Sequence, residues 1–220
     1  MPSPTLQEHD YVLDSTENLV AQDGIEAVTI RALTKATGVS NGAIYRTFES
    51  RGGLLGRVWI RAEQRFLGQL TSFVEEATAR PGSEPLDAIY AAAETSLLYP
   101  ELYAGSAACL MTVHRHDVVS QPMPRDIAEQ LQALELQLTD VMAQLAEALW
   151  QRSDAGVVDL ITTCILDLPK WIARRGERYS LSMRRDYLRA AVRSVLDVGP
   201  PPAGPARELA VTGALCDGAA

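Results

Sequence analysis

Between Thr29 and Phe48 the chain reads TIRALTKATGVSNGAIYRTF, and no other stretch restricts the fold as much. Apolar residues recur at helical spacing on both sides of Gly38: Ile30, Leu33 and Ala36 before it, Ile44 after it. Thr29 and Ser40 stand where N-caps belong, because a hydroxyl can accept from the unpaired amides of a first turn. Glycine at 38 permits the left-handed residue that stops a helix. The spacing therefore predicts two short helices, with Phe48 just past the end of the second. Ile30, Leu33, Val39 and Ile44 would form the small core that sets their crossing. Two short helices across a tight turn make a helix-turn-helix, whose second helix enters the DNA major groove. Gly42, without a side chain, lets the backbone of that helix come close to a phosphate or a base.

The remainder also has helical period, and no segment alternates as a strand does. A first helix is expected from Thr5, where Thr5-x-x-Glu8 has capping-box spacing, to a stop at Gly24. Its inner stripe is Val12, Thr16, Leu19 and Val20. A long helix should open at Ser50 and carry Leu55, Trp59, Ala62, Phe66, Leu70 and Phe73 inward. The Pro81-Gly82-Ser83-Glu84-Pro85 run breaks the chain. Helix is expected again over 86–98, interrupted at Pro100, then over 101–114. Ile127, Leu131, Leu134, Leu138, Val141, Leu145 and Leu149 form one narrow seam. The segment 156–173 is apolar on more than one face, so it must be covered twice, and a partner subunit is a natural second cover. A last helix is expected over 182–197. The Pro-rich tail from Gly199 is expected to be disordered. The fold class is thus all-α, with a three-helix DNA-binding domain at 1–57, a helical domain at 58–198 and a tail at 199–220.

The stretch from Val12 to Leu55 resembles the DNA-binding domain of the TetR (tetracycline-repressor) family. The matching residues are Gly24, Thr29-Ile30-x-x-Leu33, Gly38-Val39-Ser40-x-Gly42-x-Ile44-Tyr45-x-x-Phe48 and Ser50-Arg51-x-x-Leu54. The resemblance implies that Thr29, Tyr45 and Thr47 bond DNA phosphates, and that Asn41, Ala43 and Arg46 face bases, with Ser40 and Gly42 in the same surface. Arg51 stands where the family commonly has a phosphate-binding lysine. Three departures stand out. Thr34 and Thr37 replace small alanines, Gly52-Gly53 replaces a charged pair, and Gln7-Glu8-His9-Asp10 replaces a basic start, so no DNA contact is expected from the N-terminal arm. The resemblance further implies a cytoplasmic homodimer, paired through the helices near 157–173 and 182–197, acting as a repressor. Double-stranded operator DNA of near-palindromic sequence and a small, largely apolar effector would be its partners. The effector pocket would be lined by Tyr90, Tyr99, Tyr103, Met111, Met142, Trp150 and Trp171, and the long helix from Ser50 would transmit its occupancy.

Other readings of the same residues stay open at this stage. One is a small-molecule-binding protein whose motif no longer binds DNA; another is a regulator that activates or corepresses. Gly38-Val39-Ser40-Asn41-Gly42 also fits G-x-S-x-G, a hydrolase nucleophile elbow, but that motif needs a strand before the serine. His114, His116 and Asp117 suggest a metal, yet His at i and i+2 on a helix diverge; no metal and no cofactor is expected. Cys109, Cys164 and Cys216, odd in number and widely spaced, fit a reducing compartment. Cys109 and Cys164 read as core residues, or as redox-sensing thiols if their pKa is lowered. Arg174-Arg175 and Arg184-Arg185 are basic but lie near Glu177 and Asp186. No membrane span and no secretory signal are visible.

A net charge of -8 and a pI of about 4.9 argue against nucleic acid when taken over the whole chain. The charge is not evenly spread. Residues 1–28 hold Glu8, Asp10, Asp14, Glu17, Asp23 and Glu26 and no base. Residues 29–57 hold Arg31, Lys35, Arg46, Arg51 and Arg57 against Glu49 alone. The basic footprint is local and coincides with the helix-turn-helix.

Overall fold

The computed structural model describes residues 6–173 and 178–202; the side chains of Leu6 and Gln7 are not described. The Thr5 cap, the Arg174-Arg175 pair, Glu177, Cys216 and the tail beyond 202 lie outside those residues. Among the described residues the chain is helical, with no strand. The helices are α1 (Leu6–Asp23), α2 (Ile30–Thr37), α3 (Asn41–Phe48), α4 (Arg51–Thr78), α5 (Pro85–Leu102), α6 (Ala104–Thr112), α7 (Arg115–Val119), α8 (Arg125–Trp150), α9 (Ala155–Thr162), α10 (Leu168–Ala173) and α11 (Leu181–Val198). A short 3-10 turn, Ile25–Ala27, follows α1.

The chain divides into two compact units. Among the described residues, the first takes in 6–65 together with 103–135, and the second 66–102 together with 136–173 and 178–202. The packing unit around the helix-turn-helix is therefore larger than the 1–57 segment.

In the first unit, α1 packs on α6 and α2 on α1. The buried core includes Val12, Leu13, Val20, Leu33, Ile44, Phe48, Leu54 and Ile127. Charge is buried among them. Glu17 of α1, its side chain only 6% exposed, lies 2.9 Å from Arg61 of α4 and accepts from the Ser106 hydroxyl of α6 at 2.8 Å. Asp14 pairs with the same arginine at 2.9 Å. Arg65 of α4 lies 3.7 Å from Glu17 as well, so two of the acidic residues that precede the helix-turn-helix are ion-paired within the fold. Gly105 lets α6 sit on this network, since a Cβ there would stand 2.9 Å from Glu17 Oε2.

The Gly52-Gly53 departure has a local cause. A Cβ on Gly52 would lie 2.2 Å from the Pro122 carbonyl, and one on Gly53 2.2 Å from the Phe48 carbonyl. The backbone itself occupies the space of any side chain.

In the second unit, α5, α9, α10 and α11 pack together, burying Ile89, Leu97, Ile161, Ile165, Leu188 and Val192. Two sequence expectations change here. Pro100 does not interrupt its helix: it falls in the last turn of α5, where it removes one amide, and the break comes at Tyr103. The segment 156–173 is covered largely by its own chain, with Val157, Ile161, Cys164 and Ile165 fully buried. Within it, residues Thr163–Asp167 widen into a π-helical turn between α9 and α10. Pro169 has no amide to give the Ile165 carbonyl, and that carbonyl accepts from Ser96 Oγ of α5 at 2.9 Å instead.

The close backbone approach is testable. Gly53→Ala should destabilise by about 1–3 kcal/mol through overpacking, and for a chain of this size each kcal/mol lowers Tm by roughly 2–4 °C. An unchanged melting curve would show that α3 and α4 can part at no cost.

Candidate nucleic-acid interface

The helix-turn-helix forms as its caps dictate. Thr29 Oγ1 accepts from the Ala32 amide at 3.1 Å and Ser40 Oγ from the Ala43 amide at 3.3 Å. Gly38 adopts the left-handed conformation, φ 72° and ψ −4°, between the two helices. Phe48 proves to be the last residue of α3, and its ring is buried against the His9 ring at 5.1 Å. The chain then reverses at Glu49, whose φ of 62° is costly for a side-chain-bearing residue. Ser50 caps α4 through its hydroxyl, which accepts from the Gly53 amide at 2.9 Å.

The two threonine departures supply hydroxyls that tie the motif together. Thr37 Oγ1 donates to the Leu33 carbonyl at 2.7 Å and accepts from the Val39 amide at 3.1 Å, spanning the turn. Thr34 Oγ1 donates to Asn41 Oδ1, joining α2 to the start of α3. Alanine could do neither.

One side of α3 is buried through Ile44 and Phe48. The other carries Asn41, Gly42, Tyr45 and Arg46, all exposed, with Ala43 and Thr47 half-exposed. Thr29 and Ser40 are exposed at the caps. Tyr45 is 52% exposed although it is a large aromatic, so folding of the chain does not account for its position. Nor does folding demand glycine at 42: a Cβ there would meet only Arg46 Nη1, at an ordinary 3.5 Å. Thr47 Oγ1 is bonded to the Ala43 carbonyl of its own helix.

Arg51 is placed differently from the expectation. Its Nε donates to the Val28 carbonyl at 2.8 Å, Nη2 to the Ile25 carbonyl at 2.7 Å and Nη1 to Gln121 Oε1 at 3.2 Å. Lysine could not present this fork to two carbonyls. The guanidinium clamps the turn between α1 and α2 to α4 and is engaged inside the fold. Sequence spacing placed the residue correctly but could not see the carbonyls around it.

The residues expected around an effector are divided between the two units. Tyr103 and Met111 belong to the first unit and the other five to the second. Tyr99 and Met142 are core residues, Tyr99 packing edge-on to Phe66 at 5.3 Å. Trp150 lines a surface groove of about 250 Å³ with Leu86 and Arg193, and Trp171 is 62% exposed. Of the seven, only Tyr90 lines a cavity of about 320 Å³ in the second unit, and charged side chains dominate that cavity.

Ser40 follows a helix and a turn, so the strand that a nucleophile elbow requires is missing, and its oxygen caps α3. His114 precedes α7 and His116 lies within it. Among the described residues no group of three His, Cys, Asp or Glu side chains is placed to hold a metal ion. Burial pushes the Cys109 thiol up to about 12 and the Cys164 thiol up to about 11. No described helix is long and apolar enough to cross a membrane.

A capped helix-turn-helix with an exposed second helix, followed by an all-helical body, defines a DNA-binding transcriptional regulator. Residues 12–58 match the family described as bacterial regulatory proteins, tetR family. The match covers the helix-turn-helix segment and its flanking helices. It is 28% identical over 144 residues to the nucleoid occlusion factor SlmA of Haemophilus ducreyi, covering 64% of this chain and 68% of that protein. A regulatory protein of the tetR family from Rhodococcus RHA1 superposes with a TM-score of 0.66 at 16% identity, over 87% of this chain and 98% of the other. AibR, solved in complex with isovaleryl coenzyme A and operator DNA, gives 0.65 at 14% identity, over 84% and 97%. At such identities the structural likeness speaks for the fold alone.

Two outcomes follow. Arg51→Met should cost about 1.5–3 kcal/mol in urea unfolding, the worth of charge-assisted hydrogen bonds, and leave the salt dependence of DNA binding unchanged. A slope reduced by about one charge would make Arg51 a phosphate contact after all. At pH 8 both thiols stay protonated. Iodoacetamide should therefore leave Cys109 and Cys164 unmodified in the native chain and alkylate both in denaturant, as read by peptide mass mapping.

Proposed function

We propose that the chain is a homodimeric repressor that binds a near-palindromic operator through α3 and leaves it when a small molecule binds the second unit. The observation that carries the reading is the exposed face of α3, where Tyr45, Arg46 and Gly42 serve no internal purpose that folding demands. Arg46 can grip a guanine, and Ala43 can touch a thymine methyl. Asn41 reads a base through whichever amide atom Thr34 leaves open. Thr29, Tyr45 and Thr47 contact phosphates, and Ser40 and Gly42 let the helix end approach the backbone. Arg31 and Lys35 on α2 are exposed and add positive charge to the same motif.

Dimerisation rests on a surface rather than on the buried segment. Trp171, Tyr179, Met183 and Tyr187 are exposed, Tyr179 and Tyr187 packing edge-on at 5.4 Å. Met183 and Tyr187 lie one turn apart on α11, opposite its buried Leu188 and Val192. A second copy is the cover proposed for this patch. It would place two recognition helices about 34 Å apart, one helical turn of DNA. The effector role is supported by the AibR structure, which holds a small molecule and operator DNA in a protein of this fold. α4 carries residues of both units, and is the proposed transmitter.

The test begins with operators selected from a random duplex library. Selected sites should be near-palindromes, and affinity should fall steeply between ~50 and ~200 mM salt. Arg46→Ala should weaken operator binding by about 1–3 kcal/mol and relax sequence choice at one position of each half-site, with Tm unchanged. Enrichment of no sequence by the parent chain would favour a protein that only holds a small molecule.

A further inference from the structure

The cavity of about 320 Å³ in the second unit is lined by the end of α4, by α5 and by α11. At its heart is Glu94, whose side chain is only 6% exposed. Its Oε2 accepts from Arg185, at 2.9 Å from Nε and 2.7 Å from Nη2. Its Oε1 accepts from Arg189 Nε, and the Arg189 guanidinium also lies over the Tyr90 ring at 5.4 Å. Both carboxylate oxygens are thereby occupied, so Glu94 offers nothing to a cation. What it does is hold two guanidiniums side by side, i and i+4 on one helix. Two positive charges on one carboxylate leave one uncompensated.

Arg80 adds another cation to the wall, and its side chain makes no hydrogen bond or ion pair among the described residues. Two further acids, Glu76 and Asp87, also line the cavity. Both are exposed to water, as Arg80 and Arg189 are, so solvent screens charges of both signs here. Asp87 is moreover turned to its own helix start, accepting from the Glu84 amide at 2.9 Å. The rest of the lining is apolar, with Phe73 and Leu98 at its walls. Positively charged donors beside apolar wall, in a volume at the small end of ligand pockets, suit one chemistry.

We infer that this cavity takes a small amphipathic anion, a carboxylate or phosphate head on an apolar chain, and that it is the effector site of the regulator proposed above, on whose DNA-binding reading the effector role rests. Arg185 and Arg189 lie on the Leu188–Val192 side of α11 and not on the Met183–Tyr187 side, so the site and the proposed dimer face are separate.

The experiment titrates the full chain with octanoate, octyl phosphate and octan-1-ol by calorimetry at low ionic strength. At least one anion should bind saturably, at least tenfold more tightly than the alcohol, and the tighter of the two identifies the head group. Arg80→Gln, an exposed change expected to leave Tm unchanged, should weaken that anion tenfold or more. Arg189→Gln should do the same, with circular dichroism confirming its fold. Absence of saturable binding, equal binding of the alcohol, or an unaffected Arg80→Gln would overturn the site. The bound anion should then lower affinity for a selected operator at least tenfold. Anion binding that leaves operator affinity unchanged overturns the effector role. A ligand-free chain that binds no operator overturns the regulator reading alone, because the calorimetry stands without DNA.

Discussion

A carboxylate removed from water must be given partners, and much of the first unit is arranged around one that has been. Glu17 lies in α1, yet its partners lie in α4 and α6. Burying a lone charge costs several kcal/mol, so α1 cannot move away from Arg61 without stranding both groups. The pair therefore fixes where α1 stands, and α1 in turn carries the buried residues against which α2 packs. It also answers the charge problem. The acidic start of the chain would repel DNA if it were free, and two of its members are instead paired with Arg61 and Arg65. Within the helix-turn-helix itself, Arg31, Lys35 and Arg46 stand exposed.

The departures from the family pattern follow from the same local logic. Glycines at 52 and 53 remove a charged pair because the Pro122 and Phe48 carbonyls fill that space. Arg51 is engaged within the fold because its fork fits the Ile25 and Val28 carbonyls. In the proposed reading, affinity for DNA then rests on fewer groups, chiefly Arg46, Arg31, Lys35 and the hydroxyls of Thr29 and Tyr45. The proposed regulator would rely on two half-sites, since one helix with so few charges holds DNA weakly.

The helix-turn-helix was legible because its signals are local. Caps, a left-handed glycine and a 3.6-residue stripe all act within a turn or two of the residues that form them. Thr29, Gly38 and Ser40 could be read straight from their neighbours. Pro100 misled because a proline in a last turn costs only one amide, and nothing nearby says where the helix ends. The segment 156–173 misled differently. Its all-round apolar character correctly demanded two covers, but sequence does not say whether the second is a partner or the chain's own α5 and α11. The Ser96 bond to Ile165, sixty-nine residues apart in sequence, left no local trace.

The effector residues were the least legible, and the reason is physical. Aromatic and thioether side chains are chosen for cores as readily as for ligand walls, so Tyr99 and Met142 look the same in either role. Charged residues inside a helical body are harder to explain as packing. A buried Glu94 with two arginines adds nothing that a well-packed apolar trio could not supply to stability alone. Three charges kept at the wall of a cavity therefore point to recognition more directly than any aromatic residue. Arg185 was visible in sequence as half of a basic pair, but its partner on α5 lies ninety-one residues earlier. Only folding brings the carboxylate to it, and with the carboxylate comes the geometry that gives two guanidiniums a common direction.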